Sequence, residues 1–214
     1  AQGGVGLIVT GGIAPNLLGR LAPHACQLSF SWQVGKHKIV TDAVHEAGGK
    51  ICMQILHAGR YSYHPFSLAP SKVKSPITPF TPSAMSARQV RSTIKDYATS
   101  AALAKKAGYD GVEVMGSEGY LINQFISSRT NKRNDEWGGS YENRVKFPIE
   151  IVNAIRQKVG SDFIIVFRLS MLDLVDNGST WDEVVQLAKS LEKAGVTIIN
   201  TGIGWHEARV PTIS

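Results

Sequence analysis

The sequence predicts an α/β fold in which helices alternate with parallel strands, and two observations predict it. One phrase recurs: a basic residue near a helix end, then glycine, then a short apolar run, as expected where glycine ends a helix before a strand. Because each apolar run is continuous rather than alternating, both faces of each strand should be buried, as in parallel sheets. The predicted strands lie at residues 5–9, 50–55, 111–115, 163–168 and 196–200, the first from a truncated copy of the phrase.

The segments between these strands carry helix signals. Thr180 with Glu183 fits a capping box, in which each side chain satisfies a free backbone N–H group at a helix start. Apolar residues then recur at helical spacing, which predicts one buried face. In chain order, the predicted helices occupy residues 36–47, residues 86–106, a segment from Ser140 and a segment from Thr180.

Two long connections follow strands, at residues 13–35 and 57–82, and the second is rich in proline. Loops of this length in a compact domain are more often lids or binding segments than idle connectors. Since both follow a strand, both are expected on the side of the sheet where the strands end.

Five strands separated by helices fit either an open doubly wound sheet or part of a closed barrel. No GxGxxG motif follows the first strand, and Gly11-Gly12-Ile13 does not replace it, so a dinucleotide-binding unit is disfavoured. A (β/α)8 TIM barrel takes about 250 residues. The predicted fold is therefore one partial barrel domain, residues 1–214, that lacks the barrel's first strand and its last two.

Composition narrows the function classes. The formal charge of +6 is spread over several helices, which favours attraction to a phosphorylated small ligand over nucleic-acid binding. Cys26 and Cys52 have no ligand spacing, so no metal site is predicted, and both are expected to be reduced and buried, as suits the cytoplasm. No apolar run reaches the ~20 residues of a membrane span, and the amino terminus does not resemble a signal peptide but the tail of something cut upstream.

Polar residues at strand ends point to a site on one rim of the barrel, where such folds build active sites. Gln54 can donate to and accept from the edge of a heterocycle. Arg168 can hold an anion or the electron-rich edge of a reduced ring, and the alternative is a salt bridge to an acid on a neighbouring strand. Asn200 and Thr201 are predicted to close the last strand.

Two further residues on this rim are candidate acids. Tyr120 follows the central strand after Gly116 and Gly119, and its alternative is a half-buried packing residue. His206 follows the last strand and could act as an acid or hydrogen-bond a carbonyl, while its alternative is an ordinary surface residue. Arg60 is expected to serve as a structural ion-pair partner.

The central segment GVEVMGSEGYLINQFISSRTNKRNDEWGGSYENR, from Gly111, resembles the signature of the old yellow enzyme family of FMN-dependent ene-reductases. QILHAGR at residues 54–60 and FRLS at residues 167–170 are similar to two further blocks of that family. Where ordinary members carry a histidine pair, or histidine and asparagine, this chain has Met115 and Glu118. MGSEGYLIN and NTGIGWHEAR, at residues 115–123 and 200–209, resemble the bacterial NADPH-dependent 2,4-dienoyl-CoA reductases of fatty acid β-oxidation.

The resemblance implies catalytic and substrate-binding roles. Tyr120 would donate a proton to the substrate's α-carbon after hydride arrives from the flavin. His206 would polarise the thioester carbonyl and tune Tyr120, and Glu118 would assist the proton path. Arg129 would contact the substrate, an acyl-CoA thioester.

It also implies FMN as the cofactor, with Gln54 and Arg168 at the pyrimidine side of the flavin and Gly12 allowing close backbone approach. Full-length relatives also carry FAD, a 4Fe-4S cluster and NADPH, whose sites are expected outside this chain. The isolated chain is therefore expected to bind FMN weakly or not at all. Alternatives are an enoate or steroid reductase, an amine dehydrogenase or a non-catalytic barrel fragment. The oligomeric state stays open.

Overall fold

The computed structural model describes residues 1–208 of the chain. In chain order, the strands and α-helices are β1 (Ile8–Val9), α1 (Val34–Glu46), β2 (Ile51–Ile55), β3 (Leu68–Ala69), β4 (Ser83–Ala84), α2 (Ala87–Lys106), β5 (Gly111–Gly116), α3 (Leu121–Ile126), α4 (Tyr141–Val159), β6 (Ile164–Leu172), α5 (Trp181–Ala194) and β7 (Ile198–Ile203).

Five of these strands form one parallel sheet in the order β1-β2-β5-β6-β7. Its register aligns Gln54 with Glu113, and Met115 with Arg168. The strand order follows the chain without reversal, whereas doubly wound sheets reverse their direction at a switch point. The sheet therefore has the connectivity of a (β/α)8 barrel segment, with α2 packed against α4 and α4 against α5 on the outside.

The two faces of the sheet bury different chemistry. Val112 and Val114 in β5 are fully buried among the helices, as are Ile165 and Phe167 in β6. The alternate residues of these strands point to the other face, towards the barrel axis. Glu113 lies there and is 1% exposed, so the interior of the barrel holds a charged group.

Three of the four predicted helix starts are confirmed by side-chain caps, whereas α1 begins at Val34, two residues before its predicted start, and has no side-chain cap. Ser86, Ser140 and Thr180 each accept a hydrogen bond from the backbone N–H group three residues later, and the first and last of them form complete capping boxes. The basic residues and glycines predicted at the ends of α4 and α5 are also present, with Gly160 and Gly195 at positive φ.

Several sequence predictions need correction. Arg168, Asn200 and Thr201 do not close their strands, because β6 and β7 continue to pair beyond them, with Ser170 aligned to Gly202. Backbone groups make that ladder, so a polar side chain does not end it. Cys26 is exposed rather than buried, because it lies in the long connection after β1, whereas Cys52 lies inside β2 and is buried.

The two long connections contain short elements. The first carries two single-turn 3-10 helices, at Leu17–Gly19 and Ser31–Gln33. The second has a 3-10 turn at Gly59–Tyr61 and strand β3, which pairs with β4. Across residues 1–208, no helix has the length and apolar character that crossing a membrane requires.

Candidate active site

A cavity of about 290 Å3 lies at the rim where the parallel strands end. Connections after β1, β2, β5 and β7 and the middle of β6 all contribute to its lining. Six residues singled out from the sequence line it together: Gly12, Gln54, Glu118, Tyr120, Arg168 and His206. Arg129 does not line this cavity and belongs to a second cleft.

Tyr120 and His206 form a hydrogen-bonded pair inside this cavity. The Tyr120 hydroxyl lies 2.9 Å from Nε2 of His206, and the two rings meet edge to face with centroids 5.1 Å apart. Tyr61 packs against both rings at 5.9 Å. The phenol and the imidazole, which follow separate strands, therefore lie next to each other in the same cavity.

Gly119 allows this close packing. Its φ is +83°, and a Cβ atom there would lie 2.5 Å from the Tyr61 hydroxyl and 2.8 Å from the Trp205 ring. A larger residue would be strained by its backbone and would displace those rings. Local sequence thus fixes how Tyr120 enters the cavity.

Burial, helped by the charge of Glu118, raises the pKa of the Tyr120 hydroxyl. An ordinary tyrosine already keeps its proton at neutral pH, since its pKa is near 10. The raised pKa makes Tyr120 a group that stays protonated and releases its proton only to a strong base.

Glu118 holds the opposite wall of the cavity. Its Oε1 accepts from Arg168 Nε at 2.9 Å and from Nη2 at 2.7 Å, and its carbonyl accepts from the backbone N–H of His206 at 3.3 Å. Burial alone would lower the pKa of Arg168, but the hydrogen bonds and charge of Glu118 outweigh burial and raise it. Arg168 thus makes the salt bridge of that alternative, but its acid lies on the loop after β5 and not on a neighbouring strand.

Glu113 supports Gln54 from below. Its two carboxylate oxygens accept from Nε2 of Gln54 at 2.6 Å and from Nδ2 of Asn200 at 2.7 Å. This contact fixes the orientation of the Gln54 amide, because Nε2 is the end that faces Glu113. Sequence reasoning missed Glu113, although a carboxylate in the middle of an apolar strand was a visible signal.

Asp173 is a buried carboxylate that links residues next to Tyr120 with residues next to His206. Its side chain accepts hydrogen bonds from four groups: Asn123 Nδ2, Ser170 Oγ, the Ser179 backbone N–H and Trp205 Nε1. Asn123 in turn accepts from the backbone N–H of Gly119, directly before Tyr120. Trp205 directly precedes His206, so Asp173 positions both partners through their neighbours.

Glu207 provides a second support, and its side chain is 1% exposed. It binds Arg60 at 2.5 Å, accepts from the Tyr61 hydroxyl at 3.1 Å and pairs with Arg129 Nε at 2.9 Å. Arg60 is therefore an ion-pair partner, as predicted. Arg129 directs its Nε towards Glu207, and no sequence signal linked these two residues.

Comparison with known proteins supplies the family. A profile of the NADH:flavin oxidoreductase / NADH oxidase family matches residues 1–214. This chain belongs to that family. The prediction of the old yellow enzyme family is thereby confirmed.

Among curated relatives, a metal reductase of Desulforamulus reducens is 38% identical over all of this chain and 32% of its own length. An NADPH dehydrogenase of Bacillus subtilis is 34% identical over 95% of this chain and 60% of its own length. The chain thus spans from about a third to three fifths of these relatives' lengths.

Solved structures of family members confirm the incomplete (β/α)8 barrel. A 2-naphthoyl-CoA reductase in complex with 2-naphthoyl-CoA superposes with a TM-score of 0.92 and 34% identity, over 98% of this chain and 34% of its own. An old yellow enzyme homologue from Zymomonas mobilis gives a TM-score of 0.86 and 27% identity, over 96% of this chain and 64% of its own.

The family implies FMN as the cofactor, and the residues of the cavity fit it. Gln54 and Arg168 offer the donors and the positive charge that suit the pyrimidine edge of a flavin. A Cβ atom at Gly12 would lie 2.7 Å from Leu56 Cδ1, so a larger residue at this position would displace the Leu56 side chain. The described residues contain no cluster of three or more candidate metal ligands.

Proposed function

We propose that this chain is the catalytic part of an FMN-dependent ene-reductase that reduces conjugated double bonds of acyl-CoA thioesters, with 2,4-dienoyl-CoA as the substrate class. The observation that carries the proposal is the Tyr120–His206 hydrogen bond of 2.9 Å in the cavity that Gln54 and Arg168 also line. The same cavity would then bring a proton donor and the flavin next to one substrate.

The substrate class has separate support. The solved structure of 2-naphthoyl-CoA reductase, a family relative, holds a CoA thioester. Met115 and Glu118 stand where ordinary family members are expected to bind the substrate carbonyl through histidine or asparagine, and His206 lines the cavity as an alternative donor. This combination favours a thioester over a simple enone.

In the proposed reaction, FMN when bound supplies the hydride that reduces the double bond. Negative charge then develops on the thioester oxygen, and a hydrogen bond from His206 would stabilise it, as single donors of this kind contribute about 2.7–4 kcal/mol elsewhere. Tyr120 delivers its proton to the α-carbon of the enolate. The phenolate that remains regains a proton through Nε2 of His206, whose imidazole is exposed to solvent.

The other named residues have supporting roles in the proposal. Glu118 holds Arg168 and adds negative charge near Tyr120, so it tunes the proton donor without touching it. Gln54 and Arg168 would hold FMN, and Gly12 would allow the backbone to approach it closely. The electron donor is NADPH, and the proposed location is the cytoplasm, which the free thiols of Cys26 and Cys52 support.

A substrate panel tests the proposal on the complete protein loaded with FMN. A 2,4-dienoyl-CoA, cyclohexenone and trimethylamine are compared as oxidants or reductants of the flavin under the same conditions. The highest kcat/KM is expected for the dienoyl-CoA. A clear preference for cyclohexenone would favour an enoate or steroid reductase, and flavin reduction by trimethylamine would indicate an amine dehydrogenase.

A further inference from the structure

A second cleft, of about 650 Å3, opens beside the active-site cavity. Its walls come from the connection after β2, from the segment after α3 and from the loop after β6. The polar and charged residues that line it are Arg60, Lys74, Ser75, Thr78, Arg129 and Asn177. None of these residues lines the cavity of Tyr120 and His206.

The charge of this cleft is unbalanced. Arg60, Lys74 and Arg129 line it, and within residues 1–208 Glu207 is the only carboxylate in ion-pair contact with any of them. Asp176 contacts Arg129 only through its backbone carbonyl, at 3.4 Å. Three cations against one carboxylate leave the cleft suited to an anion with two negative charges.

Arg60 gives the cleft a buried positive charge that is held in place, which a patch of surface lysines would lack. Its side chain is 2% exposed, Nη1 donates to the carbonyl of Lys74 at 2.9 Å and Nη2 pairs with Glu207. Its Nε is buried and has no hydrogen-bond partner in the described part of the chain. Because that atom has almost no accessible surface, an anion in the cleft would not touch it, but the fixed positive charge of Arg60 in the wall would attract the anion.

The cleft is also connected to the reactive pair. Arg60 and Arg129 both hold Glu207, which directly follows His206. Tyr61, which directly follows Arg60, packs against both Tyr120 and His206. An anion bound beside the two arginines would therefore act on residues that position His206.

We propose that this cleft binds the diphosphate of a reaction partner, and that the partner is the CoA thioester substrate; the second half of this statement rests on the function proposed above. A diphosphate matches the excess positive charge, and arginine binds phosphoryl oxygens through paired N–H groups. Arg129 is then a residue that contacts the substrate at its tail rather than at its reacting carbon atoms. NADPH carries the same diphosphate, so the test separates the two sources.

Lys74→Glu is the test variant, and Lys72→Glu is its matched control. Both lysines are exposed residues of the same connection, and only Lys74 lines the cleft. The backbone carbonyl of Lys74 that binds Arg60 is unchanged by the substitution, so both variants should fold. Circular dichroism and thermal melting of the complete protein check this.

The first measurement is calorimetric binding of coenzyme A and of inorganic pyrophosphate to the complete protein. Lys74→Glu should raise both dissociation constants about three- to tenfold, while Lys72→Glu changes them less than about twofold, since exposed charges are strongly screened. Equal effects of the two substitutions would overturn the cleft as a site, because they would reflect long-range charge alone.

The second measurement identifies the source of the diphosphate. KM is compared for a dienoyl-CoA and for the same acyl group on N-acetylcysteamine, and for NADPH and reduced nicotinamide mononucleotide. Lys74→Glu should raise KM for the CoA thioester alone and leave kcat unchanged. A rise confined to NADPH would overturn the assignment to substrate. If no thioester is reduced but coenzyme A binding still depends on Lys74, the proposed function is wrong and the diphosphate site stands.

Discussion

The two walls of the active-site cavity are stabilised differently. On the wall proposed to hold the cofactor, carboxylates bind the functional side chains directly, Glu113 to Gln54 and Glu118 to Arg168. On the wall of the Tyr120–His206 pair, the supporting carboxylates, Asp173 and Glu207, bind other residues near the pair rather than the pair itself. The neighbours that they bind include Asn123, Trp205, Tyr61 and Arg60.

This difference separates two kinds of effect. A carboxylate that touches a ligand-binding side chain sets the orientation and charge of that side chain. A carboxylate that binds neighbouring residues sets the position of a whole strand end. Substitutions on the first wall are thus expected to change cofactor binding, and those on the second wall to change stability and proton transfer.

The largest effect is expected from Tyr120→Phe, which removes the proposed proton donor and keeps the ring that packs on Tyr61. Proton transfer to substrate should slow by about 10²–10⁴-fold, the usual contribution of a positioned acid. Flavin reduction by NADPH and flavin affinity should be unchanged, because they depend on the other wall. Stopped-flow measurement of both half-reactions in the complete protein tests this. A loss confined to flavin reduction would contradict the assigned role.

Glu207→Gln should produce the next largest effect, which is a loss of stability. It leaves the buried Arg60 without its charge partner, and breaking a buried pair typically costs about 3–5 kcal/mol. The free energy of unfolding is measured by denaturant titration. Glu192→Gln, at an exposed position of α5, is the control and should change stability by less than about 0.5 kcal/mol. If the two variants were equally stable, Glu207 would not support the wall of Tyr120 and His206, and the distinction between the two walls would be wrong.

Glu113→Gln should act mainly on the cofactor wall. Its amide no longer offers two acceptor oxygens to Gln54 and Asn200, so Gln54 loses its fixed orientation. The dissociation constant for FMN should rise about tenfold, which corresponds to one hydrogen bond of about 1.4 kcal/mol. Fluorescence titration of the complete apoprotein measures it. The rate of proton transfer from Tyr120 at saturating FMN should stay within about twofold, and a larger change there would contradict the separation.

Much of the fold could be predicted from sequence, because a glycine-ended helix followed by an apolar run is a local signal. The meeting of Tyr120 with His206 could also be predicted, since parallel strands end on one rim. The carboxylates that support these side chains could not be predicted. Glu207 has partners 146, 147 and 78 residues away, and local pattern gives no information about such contacts. Arg168 was expected at a strand end, but β6 continues past it because pairing depends on backbone groups.

The smallest effect is expected from Glu118→Gln, and it tests whether a charge on the cofactor wall influences Tyr120 on the other wall. Burial and the charge of Glu118 raise the pKa of Tyr120, so the tyrosine is protonated and active through neutral pH and loses activity only in alkali. Removing the charge of Glu118 also leaves the positive charge of Arg168 unpaired, and both changes favour the phenolate. The alkaline fall in the rate of proton transfer should then begin at a lower pH than in the unchanged protein. Stopped-flow rates measured across alkaline pH detect this shift. An unchanged profile would mean that the cofactor wall does not tune the proton donor electrostatically.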